Sequence, residues 1–134
     1  MKVLLDTHII LWAIANDDRL PQKARTIISH KENEICYSTA SVWEITIKHL
    51  YHPEHMPISG KRLSQYCQKA GYRMIPVQDE HVYALEGLRR MEGAPRHKDP
   101  FDCIMIAQAK VDNMMFITHD SLLPYYMEEC ILSV

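Results

Sequence analysis

Very short apolar runs rich in strand formers alternate with stretches of helical periodicity along the whole of a 134-residue chain. This alternation is the strongest constraint on the fold. Lys2 to Leu5 (KVLL), Ile35 to Tyr37, Met74 to Val77, Met115 to Thr118 and Cys130 to Leu132 read as strands, and helix-forming sequence separates each from the next. Strands that alternate with helices pair in parallel and are covered on both faces, so the expected class is α/β. The length suits one compact domain, 1–134, and is too short for two.

The helices have recognisable signals. Ile9 to Ala15 reads as a buried helix, and Leu20, Ala24, Ile27 and Ile28 mark an amphipathic one with Pro21 at its first position. Ser41-Val-Trp-Glu44 matches the Ser-x-x-Glu capping box and predicts a helix from there to about His49. Residues 51–58, with Pro53, Pro57 and histidines, form a loop. A helix through Leu63, Tyr66 and Ala70 ends at Gly71, and another spans about Asp79 to Leu88. After a polar connection from Glu92 to Lys98, Asp99-Pro100 opens the clearest helix, with Phe101, Ile104, Met105 and Val111 on its expected buried face. Ser121 to Met127 reads as a short final helix.

In a parallel sheet, ligands bind beyond the carboxyl ends of the strands. Asp6 directly follows the first strand and Asp120 the fourth, while Glu44 and Asp102 are expected in first turns of helices at that same edge. Four acids distant in sequence thus reach one end of one sheet. Two unit charges ~5 Å apart at an effective dielectric of ~20 repel by roughly 3 kcal/mol, so the cluster calls for a cation. Oxygen ligands suit Mg²⁺ or Mn²⁺, and such a site supports phosphodiester hydrolysis. Three of the acids also have a structural reading: Glu44 completes the capping box or pairs with Lys48, Asp102 favours a helix N-terminus, and Asp120 caps the helix after it, whereas Asp6, a carboxylate ending a buried strand, is costly without a partner.

Composition narrows the setting. The longest apolar run, Ile9 to Ala15, is too short for a bilayer span and a poor signal-peptide core, so a cytoplasmic protein without a membrane association is expected. Cys36, Cys67, Cys103 and Cys130 show no metal-binding spacing and read as reduced, mostly buried thiols. A formal charge of −2 gives no broad electrostatic grip on nucleic acid.

The segments LLDTHIILWAI, STASVWEITIK, HKDPFDCIMIAQA and FITHDSLL resemble, in order and spacing, the motifs of PIN-domain ribonucleases, especially VapC-type toxins of type II toxin–antitoxin modules. The likeness runs along essentially the whole chain. Its acidic site falls on Asp6, Glu44, Asp102 and Asp120, the set already reached from topology. The resemblance implies a three-layer fold with a parallel sheet ordered 3-2-1-4-5, Mg²⁺ or Mn²⁺ dependence, cleavage of RNA, a cognate antitoxin and a homodimer. Thr118 would help orient the site, with Asp99 and Thr7 as further secondary candidates. Related toxins often carry Arg after the DPFD motif, where this chain has Cys103.

Arg89, Arg90, Arg96, His97 and Lys98 form the densest basic stretch, and Arg96, His97 and Lys98 are candidate RNA contacts. His8 and His119 adjoin Asp6 and Asp120 and are within reach of phosphate or water; the loop histidines near Pro53 read as solvated. Trp12 and Trp43 read as core residues rather than stacking platforms. Two rival functions are an enzyme using Asp6 as an aspartyl nucleophile, and a binding module that kept the fold without the chemistry. A phosphoaspartyl pattern wants a second Asp where this chain has His8.

Overall fold

The computed structural model describes residues 1–134. Its centre is a five-stranded, all-parallel sheet ordered β3-β2-β1-β4-β5. The strands are β1 (Lys2–Leu5), β2 (Glu34–Ser38), β3 (Arg73–Ile75), β4 (Met115–Thr118) and β5 (Ile131–Ser133). Leu4 of the central strand pairs with Cys36 on one side and Phe116 on the other. Because side chains alternate across a strand, Val3 and Leu5 feed one apolar cluster and Leu4 feeds another on the opposite face. All three are fully buried, which is why the run is continuously apolar.

The helices are α1 (Thr7–Ile14), α2 (Gln22–Ser29), α3 (Thr39–Tyr51), α4 (Gly60–Lys69), α5 (Asp79–Ala84) and α6 (Pro100–Val111). The core residues of α1, α2 and α4 join Val3 and Leu5; those of α6 join Leu4. Helix α3 reaches both layers through Ala40 and Ile45. Gly60 seats α4 against α3: a Cβ there would lie 2.6 Å from the Val42 carbonyl oxygen and collide with the Thr46 side chain. No helix is long and apolar enough to cross a membrane.

Several elements depart from the expected boundaries. Helix α1 starts at Thr7 rather than Ile9, because the Asp6 carboxylate accepts from the Thr7 amide and caps it. Pro21 is the cap of α2 rather than its first residue. Helix α3 starts at Thr39: Ser38, still extended at the end of β2, accepts from the Ala40 amide at 2.9 Å. The expected capping box therefore does not form, and Glu44 sits in the second turn. The helix also runs on to Tyr51. Leu85–Gly87 tightens into a 3₁₀ turn after α5, and only a 3₁₀ turn, Leu123–Tyr125, replaces the expected helix over 121–127, where Pro124 has no amide to donate.

The inward face of α6 is also different. Met105, Ile106 and Ala109 are buried with Asp102, whereas Phe101 and Ile104 are half-buried and Val111 is 39% exposed. The buried stripe at 102, 105, 106 and 109 has helical spacing, so packing the helix turns its Asp102 carboxylate inward. Trp43 is 60% exposed and lies edge-on to Phe101, not in the core; Trp12 is half-buried. All four cysteines are unpaired. Burial pushes the Cys36 thiol up to about 11 and that of Cys67 to about 12, so neither is a reactive thiolate.

Candidate metal-binding active site

Helix capping and strand ends deliver the acids to the carboxyl edge of the sheet. Asp6 ends β1, and its amide donates to Ile117 of β4 at 3.0 Å, which ties the two strand ends together. Its carboxylate accepts from the Thr7 amide at 2.7 Å and, through the other oxygen, from the Thr118 hydroxyl at 2.6 Å. Thr118 in turn accepts from the Asp120 amide at 3.0 Å. The two threonines that flank the site therefore hold its carboxylates in place from the backbone outward.

Glu44 reaches the same edge from α3. The Thr7 hydroxyl donates to its Oε1 at 2.7 Å and lies 2.8 Å from Ser41 Oγ; Lys48, one turn on, pairs with Oε2 at 2.8 Å. Asp99 caps α6, accepting from the Phe101 and Asp102 amides, and so acts on Asp102 through the backbone. Asp102 itself meets His97: Nε2 lies 3.1 Å from Oδ2. Asp120 accepts from the Leu122 amide at 2.8 Å through Oδ1. His97, Asp102 and Asp120 can each offer a ligand atom within 4.8 Å of the others.

The electrostatics of the site follow from this crowding. Burial pushes the Asp102 carboxyl up to about 8, reinforced by the charges of Asp6, Asp99, Glu44 and Asp120. Burial also pushes Asp6 up to about 6, against the lowering effect of its Thr118 and Thr7 hydrogen bonds. Asp102 thus feels four other carboxylates, and Lys48 on Glu44 is the one lysine or arginine paired with any of these five. Their oxygens fit a hard divalent cation, which would relieve the repulsion that raises Asp102. Asp6, His8, Trp12, His119 and Asp120 line an adjoining cavity of about 220 Å³.

The remaining candidates separate. Arg96 and Lys98 are exposed, but the His97 side chain between them is only 4% exposed and turns onto Asp102 instead of toward solvent. Arg89 pairs with Glu128, and Arg90 lies over the Tyr126 ring. His8 and His119 are exposed at the rim and flank Trp12, with ring centroids 6.0 and 5.9 Å away. His52 and His55 are exposed around Glu54, whereas His49 turns to the Met56 carbonyl, so these three form no site. Sequence reasoning gave Ser41 only a capping role and missed Tyr126, which no local spacing marks. Lys48 did carry a signal, its i+4 offset from Glu44.

Residues 3–126 match the sequence profile of the PIN domain family. No curated protein sequence matches the chain. Among solved structures, VapBC2 from Rickettsia felis, bound to a promoter DNA fragment, is similar at 13% identity and TM-score 0.66, covering 100% of this chain and 99% of that one. A toxin–antitoxin complex from Klebsiella pneumoniae is similar at 14% identity and TM-score 0.61, covering 97% and 95%. FitAB bound to a DNA fragment is similar at 15% identity and TM-score 0.62, covering 98% and 93%.

Proposed function

The chain belongs to the PIN domain family, and from that membership we propose that it is a metal-dependent endoribonuclease, the toxin of a type II toxin–antitoxin pair. Residues 1–134 would act as one catalytic domain in the cytoplasm, as a homodimer held in check by a cognate antitoxin. That the similar structures are toxin–antitoxin assemblies supports the antitoxin partner. The observation that carries the catalytic reading is the convergence of Asp6, Glu44, Asp102 and Asp120, with Asp102 pushed up to about 8 by burial and by the other acids.

Asp6, Asp102, Asp120 and Glu44 would hold Mg²⁺ or Mn²⁺, which supplies charge neutralisation for a phosphodiester and activation of water. Asp6 is held rigid through both oxygens, so it keeps its remaining lone pairs aimed at a fixed point. Glu44, whose Oε2 lies 2.8 Å from Lys48 Nζ, would accept a proton from the attacking water. Thr7 and Thr118 orient Glu44 and Asp6, and the exposed Arg96 and Lys98 would contact the RNA backbone. An aspartyl nucleophile at position 6 is disfavoured, because the second acid it wants two positions on is His8 in this chain.

The test is cleavage of defined single-stranded RNAs by purified protein with Mg²⁺, with Mn²⁺ and in excess chelator. Cleavage that needs the ion and stops in Asp6→Asn supports the proposal. Equal cleavage in chelator refutes it.

A further inference from the structure

Beside Asp102, three side chains are joined in series and none has a part in the hydrolysis described above. Cys103 Sγ lies 3.1 Å from the Tyr126 hydroxyl, that hydroxyl lies 2.9 Å from His97 Nδ1, and His97 Nε2 lies 3.1 Å from Asp102 Oδ2. His97 thus meets Asp102 Oδ2 through one ring nitrogen and the Tyr126 hydroxyl through the other, so the orientation of the ring at Asp102 is set from Tyr126. Cys103 Sγ also approaches His97 Nδ1, at 4.0 Å.

The frame around this series is rigid. The segment 89–91 pairs with 125–127: the Met91 amide donates to the Tyr125 carbonyl at 2.8 Å and the Met127 amide to the Arg89 carbonyl at 2.7 Å. The Arg90 guanidinium lies 5.0 Å above the Tyr126 ring, and the ring stands edge-on to His97. His97 accordingly has both nitrogens engaged and a nearly inaccessible side chain. A ligand to a cation would need one of those nitrogens free.

We propose that Cys103, Tyr126 and His97 form a hydrogen-bond relay that fixes the Asp102 carboxylate by occupying Oδ2, leaving Oδ1 for a cation. His97 is thus a positioning residue, neither a metal ligand nor an RNA contact. The role given to Asp102 rests on the nuclease reading; the relay rests on the geometry above. Groups that orient metal-binding side chains in this way typically change metal affinity or activity by about 10–100-fold when removed.

The experiment measures Mn²⁺ affinity of the full chain by electron paramagnetic resonance, without RNA, for wild type, His97→Ala, His97→Gln and Tyr126→Phe. His97→Ala is expected to bind Mn²⁺ about 10–100-fold more weakly. His97→Gln, whose amide can still donate to Oδ2, should recover most of the loss. Tyr126→Phe keeps the ring beneath Arg90 but removes the hydroxyl, so it should weaken binding and shift the His97 Nδ1 resonance in ¹⁵N NMR. If His97→Ala melts early in chelator, Tyr126→Phe carries the test. Unchanged Mn²⁺ affinity in Tyr126→Phe together with an unaltered His97 Nδ1 resonance overturns the relay, as does a nitrogen coupling from His97 to bound Mn²⁺ in the wild type. Weakened binding supports the relay whether or not the wild type cuts RNA, so failure of the nuclease reading is seen separately.

Discussion

Replacing Asp102 by Asn tests the electrostatics of the site without any substrate. In the folded chain the Asp102 carboxyl is pushed up to about 8, first by burial and then by the charges of Asp6, Asp99, Glu44 and Asp120. In the unfolded chain it titrates near ~3.9. Below about pH 4 both states are protonated and the site costs nothing. As pH rises toward 8, the unfolded chain has released its proton and the folded chain has not, so metal-free stability falls. At pH 7 the unfolded group is about three pH units above its pKa, which at ~1.36 kcal/mol per unit is roughly 4 kcal/mol. Asn keeps the shape and cannot ionise, but its buried amide offsets part of the gain. We expect Asp102→Asn to be more stable than wild type by roughly 2–4 kcal/mol at pH 7–8 in chelator, and by nearly nothing at pH 4. Thermal melts at several pH values would read this as a rise in Tm of roughly 10 °C at neutral pH. With Mn²⁺ added, the wild type should gain stability and the variant gain less. An equal effect of the substitution at pH 4 and pH 8, or a variant less stable than wild type at pH 8 in chelator, would refute the reasoning.

Glu44→Gln retains an oxygen for the Thr7 hydroxyl and loses the charge opposite Lys48. Because Lys48 is partly exposed, stability should change by under about 1 kcal/mol, while single-turnover cleavage of a sensitive RNA should fall by orders of magnitude. Asp99→Asn should preserve the cap of α6 and melt within about 0.5 kcal/mol of wild type, whereas Asp99→Ala should cost about 1 kcal/mol by chemical denaturation. Gly60→Ala places a Cβ 2.6 Å from the Val42 carbonyl oxygen, so α4 must shift away from α3 at a cost of about 1–3 kcal/mol in urea unfolding, while Gly87→Ala meets nothing and should be near neutral.

The sequence alone carried the five strands, their parallel pairing and the four acids at one edge, because these depend on local signals. A run such as KVLL is buried on both faces and must be apolar throughout, and an acid that ends it has only one place to go. The cap at Asp99 was legible for the same reason: Asp followed by Pro is a local signature. Tertiary structure decided what short-range signals leave degenerate. Both Ser38 and Ser41 can cap a helix, and the extended backbone at the end of β2 selected Ser38, which moved Glu44 into the second turn and gave it Thr7 and Lys48 as partners. Which stripe of α6 faces inward was likewise open until the helix packed on the sheet, and that choice buried Asp102. His97 was indistinguishable from its basic neighbours, because Tyr126 is 29 residues away and Asp102 comes within reach only when the connection folds back. Side-chain contacts across such distances depend on chain folding, and no spacing in the sequence encodes them.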